Sequence, residues 1–413
     1  MMKKRLLMIL GAGSSIECGM PSVASIEQEM RKWAASYSAQ TGRQNCFEII
    51  WKALEESVAP EFASVSEPVN FERALGELAS LMHWVRPSPA GNALRALIGD
   101  GALYDALKFS HPSQHGPNIE TKSELSHLLA RLAEFMREKA SSLDKDSENV
   151  LRWRSFLNAL RARFEVAIYS LNYDNVALSC WPDAFTGFDE HGEFNSASVH
   201  GRKWEGLFHL HGSVHFSLRD ILGGRICWRD NLSGSFDDCD DRSADEKSDG
   251  RFFPSATFIA GGYKLDQLLG EPFSTYHASL VRDTALADAV ILGGYGFTDM
   301  HVNRALQNVL SVNASRPPVC VLDYALENTD PMDFREDRWA RALTRALHAP
   351  GPYAAPGHVH PPVPRELAET VNFELSAPHR VAIWHGGFVG AERASGRMLD
   401  WLEGGDDIGL APR

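Results

Sequence analysis

Apolar residues recur along this chain in two rhythms. Leu6 to Leu10, Glu165 to Leu171 (EVAIYSL), Phe208 to Ser213, Ala287 to Gly293 (ADAVILG) and Pro317 to Asp323 (PPVCVLD) are short, nearly unbroken apolar runs. Runs of this kind lack a polar face, which predicts parallel strands covered on both sides. Elsewhere the spacing is near 3.6, predicting helices at Val23 to Tyr37, Cys46 to Val58, Asn70 to Val85, Ala93 to Phe109, Thr121 to Lys139, Val150 to Arg163 and His301 to Leu310. Asn70 and Thr121 suit helix caps, with Glu72 and Glu124 supplying early negative charge. Val214 to Leu218 reads as part of a small antiparallel ribbon. After the Pro- and Gly-rich connector Pro350 to Pro364, Val371 to Trp384 and Ala391 to Leu402 suggest a strand and then a helix.

The expected fold class is therefore α/β: a Rossmann-like parallel sheet with a helical insertion and a small non-zinc module. The boundaries expected are a main domain over 1–325, the insertion at about 22–148 and the module at about 214–284. Residues 326–413 form a C-terminal extension for packing or partner binding. The acidic, Ser-rich stretch Ser233 to Gly250 has too little apolar content to pack and reads as a mobile loop whose charge serves solvation.

Composition narrows the classes. A chain of 413 residues, 44% hydrophobic, can bury a large core as one big domain with insertions or as two domains. A net charge of -13 argues against a broad nucleic-acid surface, so no direct nucleic-acid partner is expected. No apolar run approaches the ~20 residues that span a bilayer, and Gly11 to Pro21 lacks a convincing small-residue cleavage site after the basic start. A cytoplasmic protein is expected. The six cysteines are scattered without a C-x-x-C pair and read as reduced thiols, not staples or zinc ligands.

The chemistry lies where the strands end. The first run breaks into Gly11-Ala12-Gly13-Ser14-Ser15, the second opens into Asn172-Tyr173-Asp174, Phe208 to Leu210 leads to His211-Gly212, and the fourth strand runs into Gly294-Tyr295-Gly296-Phe297-Thr298-Asp299. In an open parallel sheet, ligands collect at the carboxyl ends of strands. Gly11 and Gly13 can turn the backbone sharply and bring amide groups to a pyrophosphate; a tight turn with no ligand is the plain alternative. The dinucleotide fingerprint G-x-G-x-x-G is incomplete because Ile16 holds its third glycine position, and no acidic residue ends a second strand about 20 residues on. A hydride-transfer enzyme is disfavoured.

In order and wording these four loops resemble the sirtuin-like NAD-consuming family, in which a Gly-Ala-Gly-x-Ser loop, an Asn-x-Asp loop, a His-Gly loop and a glycine loop ending near Asp line one pocket. The resemblance covers the core strands and leaves the helical insertion and the C-terminal part outside. Those additions look most like the bacterial antiviral branch, whose members hydrolyse NAD to starve an infected cell. Deacylase members carry two C-x-x-C pairs for zinc, and Cys227 and Cys239 are too far apart to begin one. The resemblance therefore implies a NAD glycohydrolase with NAD as substrate and no metal. It also implies restraint by assembly or a partner, hence a homo-oligomer and a HerA-type ATPase.

Cleaving the nicotinamide–ribose bond creates an oxocarbenium-like centre, and a leaving group departing from a cation needs little acid help. What remains is to place water. Asn172 can hold a water or a ribose hydroxyl with its acceptor and donor, and His211 can take a proton near neutral pH. Asn172 could also serve only as a turn former. Asp174 would bind ribose or cap the following helix; Gly11, Ala12, Gly13 and Ser15 would hold phosphate. The resemblance places Gly294 and Gly296 in a NAD-binding loop and matches Thr298 and Asp299 to its adenosine side, although Asp299 could instead cap the helix near His301. His209 and His215 read as packed. Strand alternation cannot choose between His209 and His211 unless a turn begins at Leu210. Two rival functions remain: a regulatory or scaffold subunit that binds NAD or ADP-ribose, and a protein deacylase or ADP-ribosyltransferase.

Overall fold

The computed structural model describes residues 3–42, 45–57, 69–85, 116–219, 224–240, 255–261, 264–310, 316–324, 338–349, 373–376 and 379–404. The expected helix at Ala93 to Phe109, the connector Pro350 to Pro364 and the end of the acidic stretch lie outside them.

Seven strands form one sheet: β1 (Lys4–Leu10), β2 (Phe164–Ser170), β3 (Gly206–His209), β8 (Ala289–Gly293), β9 (Val319–Leu322), β10 (Phe373–Ser376) and β11 (Val381–Trp384). Their spatial order is β10-β11-β9-β8-β1-β2-β3, parallel throughout except for β10 against β11. Reading outward from β1, the chain first adds β2 and β3 on one side and then β8, β9 and β11 on the other. This is the doubly wound α/β arrangement, and its direction reverses between β1 and β8.

The unbroken apolar character of β1 follows from cover on both faces. Leu7 and Ile9 pack with Tyr169, Phe208, Leu292 and Val321 beneath the helices Phe273–Leu286, Met300–Leu310 and Arg338–Leu347. Leu6, Met8 and Leu10 face the other way, onto Val166, Ile168 and the helices Glu148–Arg163 and Ser395–Leu402. The C-terminal residues are thus built into the sheet and its second face. Within the single strand expected at Val371 to Trp384, Phe373–Ser376 and Val381–Trp384 are two antiparallel strands.

The helices Val23–Thr41, Cys46–Ser57, Phe71–Val85 and Gly116–Ser141 enclose a third core, including Met30, Phe47, Leu75, Leu78, Leu128 and Leu132. Tyr173, Val214, Phe258 and Ala260 join that core from the sheet side. The insertion therefore sits over the carboxyl ends of the strands. Glu124 is not at a helix start: the helix begins earlier, and the buried carboxylate accepts from the Cys46 and Phe47 amides, both at 2.9 Å, at the start of a neighbouring helix.

Two small antiparallel pairs lie beside the sheet: β4 (Phe216–Leu218) with β5 (Ile226–Trp228), packed into the core of Leu7 and Ile9, and β6 (Cys239–Asp240) with β7 (Ser255–Ala256), packed against the third core. The start of the acidic stretch is fixed, contrary to expectation. Asp238 forms a buried ion pair with Arg137, whose guanidinium also lies 4.0 Å from the Phe236 ring centre. One aromatic and one paired carboxylate suffice to anchor a segment whose average composition is solvating. Among the described residues no helix is long and apolar enough to cross a membrane.

Candidate active site

The loops after β1 and β8 meet backbone to backbone at the point where the strand order reverses. A Cβ on Gly11 would lie 2.6 Å from the Gly294 carbonyl oxygen, and one on Gly13 would lie 2.8 Å from the Gly294 Cα. Gly294 itself has φ +58, and a Cβ there would come within 2.2 Å of the Ser14 nitrogen. The glycines serve this close approach of two chain segments. Their amides are also committed: Gly11 N–H donates to the Gly293 carbonyl at 2.9 Å and Gly13 N–H to the Gly294 carbonyl at 3.1 Å. Ser14 and Ser15 amides donate to Gly11 and Ala12 carbonyls. This revises the expected phosphate cradle. From Gly11 to Ser15 only the Ala12 amide makes no hydrogen bond within the described residues, and the helix that follows is a single turn, Gly13–Ile16.

Asn172 ties the second loop to the first. Its Nδ2 donates to the Gly11 carbonyl at 3.0 Å and to the hydroxyls of Ser14 and Ser15, each at 3.1 Å. Because a carbonyl can only accept, the Gly11 contact fixes which end of the amide points inward. The Oδ1 makes no hydrogen bond among the described residues, and Asn172 lines the cavity described below. Ser15 Oγ donates to Asp174 Oδ2 at 2.6 Å, while Asp174 Oδ1 accepts from the Val176 amide at 2.9 Å. Asp174 thus holds Ser15 and, through the Val176 amide, the start of the short helix Val176–Cys180, whose N-cap position is Asn175. Burial raises its pKa above the ordinary carboxylate value, against the opposing hydrogen bonds from Ser15 and Val176. Tyr173, between them, stacks on Phe258 with ring centres 4.3 Å apart and donates to the Ile259 carbonyl at 2.9 Å.

β3 ends at His209 and a turn begins at Leu210, so His209 and His211 part company. His209 packs near Phe216 and Trp228, and burial drives its pKa down to about 3. His215 stacks on Trp228 at 4.6 Å, with its Nδ1 2.8 Å from the Arg229 carbonyl. Only His211 of the three faces the cavity. Gly212, at φ +109, makes that turn possible, and a Cβ there would meet the Thr257 carbonyl oxygen at 2.3 Å.

Asp299 does not use its side chain to cap the helix Met300–Leu310. Its Oδ1 instead accepts from Lys264 Nζ at 2.7 Å, and Lys264 also reaches Glu72 Oε2 at 2.9 Å. One ammonium therefore links the β8 loop to the helical insertion. Burial works against the Asp299 carboxylate, but its neighbours His211 and Lys264 hold it ionised, below the usual carboxylate range. Burial raises Glu72, which Lys264 only partly offsets. Burial, reinforced by the Lys264 charge, keeps His211 neutral well below its ordinary pKa. Its Nε2 lies 3.1 Å from His301 Nε2 and 3.7 Å from Asp299 Oδ1.

A cavity of about 350 Å³ gathers these groups. Gly11, Ala12, Ser15, Asn172, Asp174, His211, Gly294, Gly296, Thr298 and Asp299 all line it; Gly13 lies behind, against Gly294. Lys264, Glu72 and Tyr173 also line it and were not among the expected site residues, nor was His301 beside it. For His301 a signal existed in its spacing two residues after Asp299. For Lys264 and Glu72 none did. His211, His301 and Asp299 bring ligand atoms within 4.8 Å of one another, a donor set able to hold a metal ion. The expectation of a metal-free chain rested on cysteines, and those described are indeed free thiols, but this cluster uses other donors.

Residues 166–347 match the family model described as a SIR2-like domain. The matched stretch holds β2, β3, β8 and β9 with Asn172, His211 and Asp299. Among solved structures, the chain is similar to a Sir2 homologue in complex with NAD, at 11% identity over 84% of this chain and 89% of that one, with a TM-score of 0.33. A mutant Sir2 homologue bound to ADP-ribose gives 10% identity over 84% and 91%, with a TM-score of 0.35. No curated protein matches.

Proposed function

We propose that this chain hydrolyses NAD at the nicotinamide–ribose bond, releasing nicotinamide and ADP-ribose. The observation that carries the reading is the convergence of Asn172 and a neutral His211 on one cavity at the sheet's reversal point, within a SIR2-like stretch. With its Nδ2 held by the Gly11 carbonyl, Asn172 offers Oδ1 to a water or ribose hydroxyl in a fixed direction. Nicotinamide leaves as a neutral molecule from a cationic ring, so the cavity needs no acid to expel it. Water adds to the ribose carbon, and its proton passes to His211 directly or through a ribose hydroxyl. The imidazolium so formed finds the Asp299 carboxylate 3.7 Å away.

Such chemistry is lethal when unrestrained, which supports antiphage defence by NAD depletion as its setting. A homo-oligomer working with a HerA-type ATPase is the form of control that the family resemblance favours. Chromatography of NAD incubated with the pure chain, alone and with the candidate ATPase, tests the reading. Equimolar nicotinamide and ADP-ribose support it. Intact NAD in both mixtures, with binding seen by calorimetry, replaces it with a binding subunit.

A further inference from the structure

His301 takes no part in the proposed hydrolysis, yet it is buried and its Nε2 meets the His211 Nε2 head to head at 3.1 Å. Asp299 Oδ1 stands 3.7 Å from that same His211 nitrogen. Two imidazole nitrogens aimed at each other either share one proton or turn both lone pairs toward a cation. In a tetrahedral site with metal–nitrogen bonds of about 2.0–2.1 Å, neighbouring donors sit about 3.3 Å apart. The pair is close to that edge. Two imidazoles and a carboxylate form a borderline donor set that suits zinc better than magnesium or calcium.

The surroundings agree in charge. Lys264 is shared between the Asp299 and Glu72 carboxylates, so its charge beside the two imidazoles is balanced from both sides. Burial lowers the pKa of His301 to about 4 and that of His211 well below its ordinary value, so both are in the neutral form that ligation requires.

We propose that His211, His301 and Asp299 bind a divalent cation of the zinc class, and that the bound ion switches the cavity off by occupying the His211 Nε2 lone pair. Inhibition rests on the function proposed above; binding does not. Water completes the coordination. Removing the ion frees His211 as a proton acceptor without moving any strand.

Cobalt(II) added to the full chain reads the site without NAD. One equivalent should give a visible ligand-field band with no thiolate charge-transfer band, and zinc should erase it. His301→Gln should weaken cobalt binding by more than about tenfold, and Asp299→Asn supplies a second variant should that one fail to fold. His277→Gln, altering the next imidazole along, whose ring centre is 5.6 Å from that of His301, should leave the band unchanged. No stoichiometric band, or a band that survives in both ligand variants, overturns the site and leaves the histidines a hydrogen-bonded pair. Saturating zinc should abolish NAD turnover in the unaltered chain and spare it in His301→Gln. Full turnover with zinc bound overturns the switch. A chain that binds cobalt as described but never cleaves NAD overturns the proposed function instead.

Discussion

The side-chain amide of Asn172 donates to the Gly11 carbonyl across 3.0 Å, joining the loops after two adjacent strands. Asn172→Ala removes this tie together with the contacts to Ser14 and Ser15. The expected result is a folded protein, destabilised by about 1–3 kcal/mol, whose kcat for NAD hydrolysis falls by about 10²-fold or more. Initial-rate kinetics beside a urea melt checks both numbers. Unchanged kcat would take Asn172 out of the reaction.

His209 and His211 offer a paired test because the turn at Leu210 sends them to different neighbours. His211→Ala should lose about 10²-fold or more in kcat while melting near the parent temperature. His209→Ala opens a hole beside Phe216 and Trp228 and should lower the melting temperature while preserving turnover per folded molecule. The reverse pattern would reassign the proton acceptor.

The pH dependence follows from burial. His209 and His211 have pKa values lowered from the ordinary 6.5 by burial, as does His215. An unfolded chain takes up protons at these sites as pH falls below 6.5 while the native chain does not, so the unfolded state binds more protons and stability falls with pH. Denaturant midpoints should hold above pH 6.5 and drop steadily below it. Turnover should stay flat down through pH 6.5, with its acid limb well below that value, since His211 stays neutral. An acid limb centred at 6.5 or above in a folded enzyme would point to another base.

Gly294 and Gly19 separate crowding from backbone strain, since both have positive φ. Nothing lies within 4 Å of a Cβ at Gly19, so Gly19→Ala should cost about 1 kcal/mol from the left-handed backbone alone. At Gly294 the new carbon would also press on the Ser14 nitrogen. Gly294→Ala should cost more than about 2 kcal/mol and abolish NAD binding by driving the two loops apart. Chemical denaturation and calorimetry check the pair; equal costs would mean that the loops have room to yield.

The sequence by itself was enough for the strands and the loops that end them. A strand covered on both faces must be apolar at every position, so Leu6 to Leu10 and Ala289 to Gly293 announce themselves locally, and each breaks at a glycine where the chain must turn. Asn172 and His211 were visible for the same reason, each being a polar residue just beyond an apolar run, whereas Asp299, further along its loop, was singled out through the family resemblance. The number of strands in the C-terminal stretch was not legible, because two short apolar strands close together in sequence read as one run.

Tertiary structure decided what each of those groups can still do. Whether the Gly11 and Gly13 amides are free for phosphate depends on the carbonyls of Gly293 and Gly294, about 280 residues away in the chain and touching in the fold. Lys264 gains its meaning from Glu72 and Asp299, which approach it from separate elements, and a lone lysine in a polar stretch carries no mark of that. His211 owes its neutral state to burial and to the Lys264 charge, both set by long-range packing. Hydrophobic periodicity records which side of a local element is buried; hydrogen-bond commitments and pKa values depend on which elements meet, and that is settled only when the helical insertion closes over the sheet.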